Sequence, residues 1–214
     1  MQKIWIVKLP DKDAHFLKEQ LLKKLAKPFK VRAKRYLNLE SSLCFMTGRL
    51  LLKKVLNKNN ISSKLLDELQ YSEEGKPSFL NYNFSISHSN WYVSLIFGTT
   101  FSVGIDIEKK RSIDIKLFKY LFTALEWKSI MDAENPIDHF YWFWVRKEAL
   151  LKAVGCSLKD LKQLEINEHY GSYKGKHYYF KPFYFDTKFN GIIATEEQLE
   201  IKVEFVDINE LLEK

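Results

Sequence analysis

The six residues Val103-Gly104-Ile105-Asp106-Ile107-Glu108 limit the possible fold more than any other stretch. Their alternation is that of a strand, in which successive side chains point to opposite faces. Ile105 and Ile107 then share one face, and Asp106 and Glu108 share the other. The apolar face demands a core. The acidic face sets two carboxylates side by side, which a fold keeps only with positive charge between them or with one acid protonated. Lys109, Lys110 and Arg111 follow directly, but side chains of that length reach into solvent. A lone D-x-E is ordinarily a solvated strand end. A third acid with basic neighbours changes that reading, and Glu148 is one.

Glu148 lies in Trp144-Val145-Arg146-Lys147-Glu148-Ala149-Leu150-Leu151-Lys152, within a pattern that predicts a long helix over 137–154, stopped by Gly155. The helix is apolar nearly all round, as buried helices are. Its few charges therefore need a partner or a function. Glu148 and Lys152 are four apart and share a face with Trp144 one turn earlier. As a mere surface pair they would contribute little. Joined by Asp106 and Glu108, Glu148 completes a set of three carboxylates for a hard cation. Mg²⁺ suits such a set best when a substrate phosphate fills the remaining positions. Lys152, and Lys147 beside Glu148, are placed to neutralise phosphate charge.

Two further stretches carry polar chemistry. In Asn83-Phe84-Ser85-Ile86-Ser87-His88-Ser89, His88 follows a short strand between hydroxyls suited to phosphate oxygens. A loop histidine bonded to backbone is the simpler reading. Gly75-Lys76-Pro77 reads as a turn, or as a rigid backbone edge on which a base or phosphate can rest.

The order of elements is repeated along the chain. A strand over 3–8 is followed by a helix capped by Asp11 or Asp13 and running to about 26. Pro28 breaks that helix. Helices over 30–37 and from Ser41 or Ser42 to 57 come next, then strands over 84–87 and 91–97. After Gly98-Thr99-Thr100 comes a strand over 102–108. Helices over 115–122, 123–132 and 137–154 lead to strands near 165–167, 177–186, 191–194 and 199–206. The expected fold is α+β: two similar strand–helices–strands halves, 1–100 and 101–214, packed as a pseudo-dimer with a site at their junction.

Composition narrows the function classes. With 46% hydrophobic residues the chain can build a core, which excludes disorder. No stretch approaches a membrane span and residues 1–10 hold no signal-peptide core, so a cytoplasmic protein is expected. Cys44 and Cys156 match no metal or redox spacing, and the five histidines are scattered, against a zinc cage. The net charge is +7, yet residues 1–60 alone hold fifteen Lys and Arg against four Asp and Glu. A basic N-terminal half suggests an anionic partner: nucleic acid, a phosphorylated small molecule or an acidic protein.

Gly75-Lys76-Pro77, F-S-I-S-H-S around His88, G-I-D-I-E and W-V-R-K-E-A-L-L-K occur in the order and rough spacing of the 4′-phosphopantetheinyl transferases. Over about residues 30–155 the chain resembles the long, pseudo-dimeric type that acts on carrier proteins. The resemblance implies binding of coenzyme A and Mg²⁺. A carrier-protein serine attacks the β-phosphate of the CoA pyrophosphate, phosphopantetheine moves to the serine, and 3′,5′-ADP leaves. By the same resemblance, Asp106, Glu108 and Glu148 are the Mg²⁺ ligands. Glu148 is also the base for the serine hydroxyl, directly or through a water. Lys152 holds the pyrophosphate and assists the leaving group. Ser87 and His88 contact CoA phosphates, and Gly75, Lys76 and Pro77 form the adenine and ribose edge. Arg32 falls where the family has a lysine for the 3′-phosphate. The implied partner is an acyl or peptidyl carrier protein, docked by the apolar residues after Thr123. The implied state is a monomer, with neither nucleic acid nor membrane as partner.

One departure concerns the nucleotide pocket. Where related sequences carry Arg-Thr in the third helix, this chain has Cys44-Phe45, which removes a positive charge and a hydroxyl. Either Arg49, Lys30 or Lys34 compensates, or CoA binds more weakly; Phe29 also stands near a position that is often lysine in related sequences. The alternative reading is a non-catalytic nucleic-acid-binding module that uses the basic surface and the many aromatic residues. It leaves the three acids without a purpose.

Overall fold

A computed structural model describes residues 1–10 and 12–213. Asp11, one of the two helix caps expected above, lies outside them. The chain begins with β1 (Gln2–Lys8), whose β-branched and aromatic side chains are buried from Ile4 to Val7. Then come α1 (Ala14–Lys24), α2 (Lys27–Ala33) and α3 (Leu39–Lys58). A small hairpin, β2 (Gln70–Tyr71) and β3 (Pro77–Ser78), leads to β4 (Asn83–Ser89) and β5 (Tyr92–Thr99). Next are β6 (Val103–Lys109), α4 (Ala124–Asp132) and α5 (Pro136–Val154). The chain closes with β7 (Glu165–Ile166), β8 (Tyr170–Tyr173), β9 (Lys176–Phe183), β10 (Phe189–Thr195) and β11 (Ile201–Phe205). The class is mixed α+β. No helix among the described residues is long and apolar enough to cross a membrane.

Several boundaries differ from expectation for local reasons. Asp13 precedes α1, but its side chain makes no capping hydrogen bond. The first helix ends before Pro28, as expected, but already at Lys24; Pro28 sits in the first turn of α2, where its missing N–H is not needed. α3 is capped by Asn38, whose side chain accepts from Ser41 N at 3.0 Å, so the helix starts ahead of the expected serine caps. Ser42 instead turns inward and donates to Ala33 O, tying α3 to α2. Ile115–Leu121 is a 3₁₀ segment rather than an α-helix. The capping box at Thr123 and Glu126 forms as its spacing predicts, and Gly155 ends α5 with φ 82°.

Two sheets organise these elements. The first has the order β11-β1-β5-β4 and the second β6-β10-β9-β8-β7. The last strand therefore lies with the first: β11 runs parallel to β1 with Ile4 opposite Val203. Helix α3 covers one face of the first sheet, packing Leu43, Met46 and Leu51 on Trp5, Val7 and Leu95. Between the sheets, Ile4, Ile6 and Ile96 meet Ile105, Ile107 and Ile193. On the far side α5 covers the second sheet, with Val145, Ala149 and Leu150 against Ile192 and Ala194. The isoleucines of the G-I-D-I-E strand thus face the seam between sheets, and its acids face α5.

The packing of α5 on β6 explains Gly104. A Cβ there would stand 2.0 Å from Ala149 O and 2.4 Å from Ala153 N, so the backbone of α5 lies directly on β6. Only glycine permits that approach. It brings Glu148 and Lys152 within reach of the acids on β6.

Candidate active site

The edges of the two sheets, β4 and β6, run side by side and are joined through serine side chains. Ile105 N donates to Ser85 Oγ at 3.0 Å, Ile107 N to Ser87 Oγ at 3.3 Å and Lys109 N to Ser89 Oγ at 3.1 Å. The same hydroxyls then orient the acids. Ser87 Oγ donates to Asp106 Oδ1 at 2.7 Å, and Ser89 Oγ donates to Glu108 Oε2 at 2.9 Å. Trp144 Nε1 donates to the other Glu108 oxygen at 3.3 Å. Because side chains alternate, Ser85, Ser87 and Ser89 share one face of β4, and Phe84, Ile86 and His88 the other.

Lys152, one turn beyond Glu148, closes this arrangement. Its Nζ lies 2.9 Å from Ser87 Oγ and 2.7 Å from Asp106 Oδ1. Burial works against its ammonium, but Asp106 and then Glu148 outweigh that and raise its pKa. Asp106 is 2% exposed. Burial pushes its carboxyl up, while Lys152 and Ser87 pull it back. Glu108 is raised to about 7, by burial first and Asp106 second. Glu148 is also raised to about 7: burial leads, Lys152 opposes, and Asp106 and Glu108 add to the rise. The three carboxylates thus act on one another electrostatically, with less positive charge nearby than they need.

The donor set suits a hard cation, and one atom marks the deficit. Asp106 Oδ2 is buried without a hydrogen-bond partner among the described residues. Such an oxygen is costly unless something positive reaches it. Among the described residues, no three His, Cys, Asp or Glu side chains yet converge closely enough to enclose a metal ion. By the chemistry of their oxygens, Asp106, Glu108 and Glu148 are the residues that suit one.

Beside the acids, a cleft of about 300 Å³ opens between α3 and the C-terminal end of α5. It brings together Arg32, Gly75, Lys76, Pro77, His88 and Lys152. Ser87 is buried and bonded to Asp106. His88 stands at an exposed point of β4; crowding by the cleft walls, and then the Lys152 ammonium, push its pKa down. A neutral imidazole can donate one hydrogen bond to a phosphate oxygen and accept another. Lys76 lines the cleft, but its Nζ donates to Ala153 O at 2.7 Å, capping the last turn of α5. Burial lowers that ammonium to about 8.

Lys147 does not act as its position beside Glu148 suggests. It points to the opposite side of α5 and is fully buried. Its Nζ lies 2.9 Å from Glu126 Oε1 and 2.7 Å from Leu161 O. Adjacent helical residues face different directions, and here the difference separates a structural lysine from the acid cluster. Sequence reasoning also overlooked Ser85 and Ser89. Their period-two spacing with Ser87 on a strand was the available signal.

A family model for the 4′-phosphopantetheinyl transferase superfamily matches residues 102–198, the span that carries Asp106, Glu108, Glu148 and Lys152. The 4′-phosphopantetheinyl transferase gsp of Aneurinibacillus migulanus is 32% identical over 171 residues, covering 72% of this chain and 66% of that protein. The chain belongs to the 4′-phosphopantetheinyl transferase superfamily. Two other superfamily members are similar over shorter spans. The human L-aminoadipate-semialdehyde dehydrogenase-phosphopantetheinyl transferase is 35% identical over 142 residues, covering 57% of this chain and 46% of that protein. The 4′-phosphopantetheinyl transferase Sfp of Bacillus subtilis strain 168 is 28% identical over 132 residues, with 59% and 58% covered. The chain spans about half the length of the first of these superfamily relatives. Its acid cluster lies inside the matched span, and much of the cleft, including Arg32, Lys76 and His88, lies outside it.

Proposed function

We propose that this chain transfers the 4′-phosphopantetheine group of coenzyme A to a serine of an acyl or peptidyl carrier protein, with Mg²⁺ required. The observation that carries the reading is the continuity of the cleft with the acid cluster through Lys152, which lines the one and bonds Asp106 of the other. A ligand bearing a pyrophosphate can lie in that cleft with its phosphates at Lys152.

In this reading Asp106, Glu108 and Glu148 hold Mg²⁺, which when bound neutralises charge on the pyrophosphate. Lys152 grips the pyrophosphate and stabilises the departing 3′,5′-ADP. Glu148 accepts the proton of the carrier serine, directly or through a water, as that oxygen attacks the β-phosphate. A carboxylate near neutrality suits a general base. His88 contacts a phosphate oxygen, and Ser87 acts by positioning Asp106 and Lys152. Gly75, Lys76 and Pro77 form the edge for adenine and ribose, and Arg32 meets the 3′-phosphate. Phosphoryl transfer needs this positioning and charge neutralisation more than covalent help.

Residues 1–100 and 101–214 are, on the same reading, two related halves packed as a pseudo-dimer within one polypeptide. Support comes from the recurring order of strand, helices and antiparallel strands, and from the seam between their sheets. Exchange of β11 into the first sheet ties them together. The protein would act as a cytoplasmic monomer. The basic N-terminal half favours encounter with CoA and with an acidic carrier. A bare nucleic-acid backbone would be repelled by the acids, which disfavours the nucleic-acid reading.

The test is mass spectrometry of an apo-carrier protein incubated with the chain, CoA and Mg²⁺. A mass gain of one phosphopantetheine on the carrier serine, lost in EDTA, is expected. No gain with any of several acyl and peptidyl carriers would overturn the reading.

A further inference from the structure

Helix α3 carries a guanidinium that meets no carboxylate among the described residues. Arg49 is 8% exposed, and its Nε and Nη1 have no hydrogen-bond partner among the described residues. It lines the cleft one helical turn after Phe45. Its Cζ lies 5.2 Å from the Phe45 ring centroid and 5.7 Å from that of Phe29. On the same Phe45 ring, 5.3 Å from its centroid, rests the guanidinium of Arg32.

Two cations on one ring repel each other. The groups acting on Arg49, after burial itself, are Tyr71, Arg32 and Tyr36, with no carboxylate among them. A buried guanidinium lacking an acid is costly, and apolar side chains of similar length would pack between the two phenylalanines without that cost. What makes sense of the pair is a doubly charged anion brought in by the ligand. Guanidinium forks match phosphate oxygens in geometry as well as charge.

We propose that Arg49 is a specificity-determining residue that recognises the phosphomonoester of the nucleotide, acting with Arg32 across Phe45. This rests on the CoA reading above. Coenzyme A carries a pyrophosphate and a separate 3′-phosphate. Lys152 and the acid cluster take the pyrophosphate, and none of those residues is among the groups acting on Arg49. The 3′-phosphate is the group left for the far end. Arg49 thereby replaces, from the next turn of the same helix, the positive charge absent at Cys44-Phe45. Helical side chains slant toward the N-terminus, which carries the Arg49 fork back over the Phe45 turn.

The test measures binding of CoA and of 3′-dephospho-CoA by calorimetry, with Mg²⁺, to the full chain and to Arg49→Met. Methionine keeps the apolar packing and removes an unpaired charge, so the ligand-free variant should melt no lower than the parent. The variant should lose about 10- to 100-fold in affinity for CoA, the range expected for hydrogen bonds to a charged group. It should lose less than about threefold for 3′-dephospho-CoA. Equal losses for both ligands, or no loss for CoA, would overturn the role of Arg49 and leave the transferase reading intact. Failure of the parent chain to bind either ligand would instead overturn the transferase reading, and this assignment with it. Should Arg49→Met not fold, Arg49→Lys provides the same comparison, since a lysine lacks the fork and must still weaken CoA more than its dephospho form.

Discussion

The Nζ of Lys152 lies 2.7 Å from Asp106 Oδ1. That contact joins the last turn of α5 to the middle of β6, and Ser87 of β4 bonds both partners. Replacing Asp106 with asparagine keeps the shape but removes the charge facing Lys152. Transfer to a carrier serine should fall by about 100-fold or more, the scale seen when one preorganised electrostatic group is lost. Far-ultraviolet circular dichroism should be unchanged. Carrier labelling at near-parental rate would reject Asp106 as part of the centre.

The raised acids predict how pH and metal act together. Glu108 and Glu148 sit near 7 in the folded chain against an ordinary 4.5. A folded state that binds more protons loses stability as pH rises, so this loss should develop from about pH 4.5 to 7. A divalent cation among the carboxylates offsets it. The melting temperature in EDTA should therefore drop between pH 5 and 8, and added Mg²⁺ should raise it most at pH 8. Glu148→Gln should flatten the EDTA profile. An Mg²⁺ effect of equal size at pH 5 and pH 8 would argue against metal binding by these acids.

Lys147 and Glu126 form an ion pair in which the lysine side chain is fully buried and the glutamate nearly so. Removing one partner leaves the other charge uncompensated, at a cost of about 3–5 kcal/mol. Lys147→Met should lower unfolding free energy in urea by roughly that amount. The double variant Glu126→Gln with Lys147→Met should recover much of it. If the single variant loses no more stability than a typical surface substitution, the pair is not holding α4 to α5.

Gly104→Ala places a methyl 2.0 Å from Ala149 O, a backbone atom that cannot swing aside. Either α5 moves off β6 or the protein fails to fold. A soluble variant should have a markedly lower melting temperature and also lose Mg²⁺ stabilisation, because Glu148 and Lys152 move with α5. Parental stability would mean that the helix and strand do not approach so closely.

Local pattern determined much of this protein. The alternation of G-I-D-I-E set a strand with one apolar and one acidic face. The apolar run to Gly155 set a long buried helix, and Thr123 with Glu126 set the start of α4. Those signals are local because hydrogen bonding and side-chain direction within one element depend on residues a few positions apart. Gly75, Lys76, Pro77, His88 and Lys152 lie in the motifs, the family resemblance added Arg32, and the cleft gathers all six.

Only the tertiary structure decided which of two neighbouring residues faces which environment. Lys147 and Glu148 are adjacent, yet one is fixed to Glu126 and the other joins the acids. Ser87, named as a ligand contact by resemblance, also holds Asp106, because β4 lies beside β6 with its serine face toward it. The return of β11 to β1 and the unpaired guanidinium of Arg49 were equally hidden. Each depends on residues far apart in the chain meeting in space. Periodicity records the face a side chain occupies on its own element, but the partner on that face is chosen by packing.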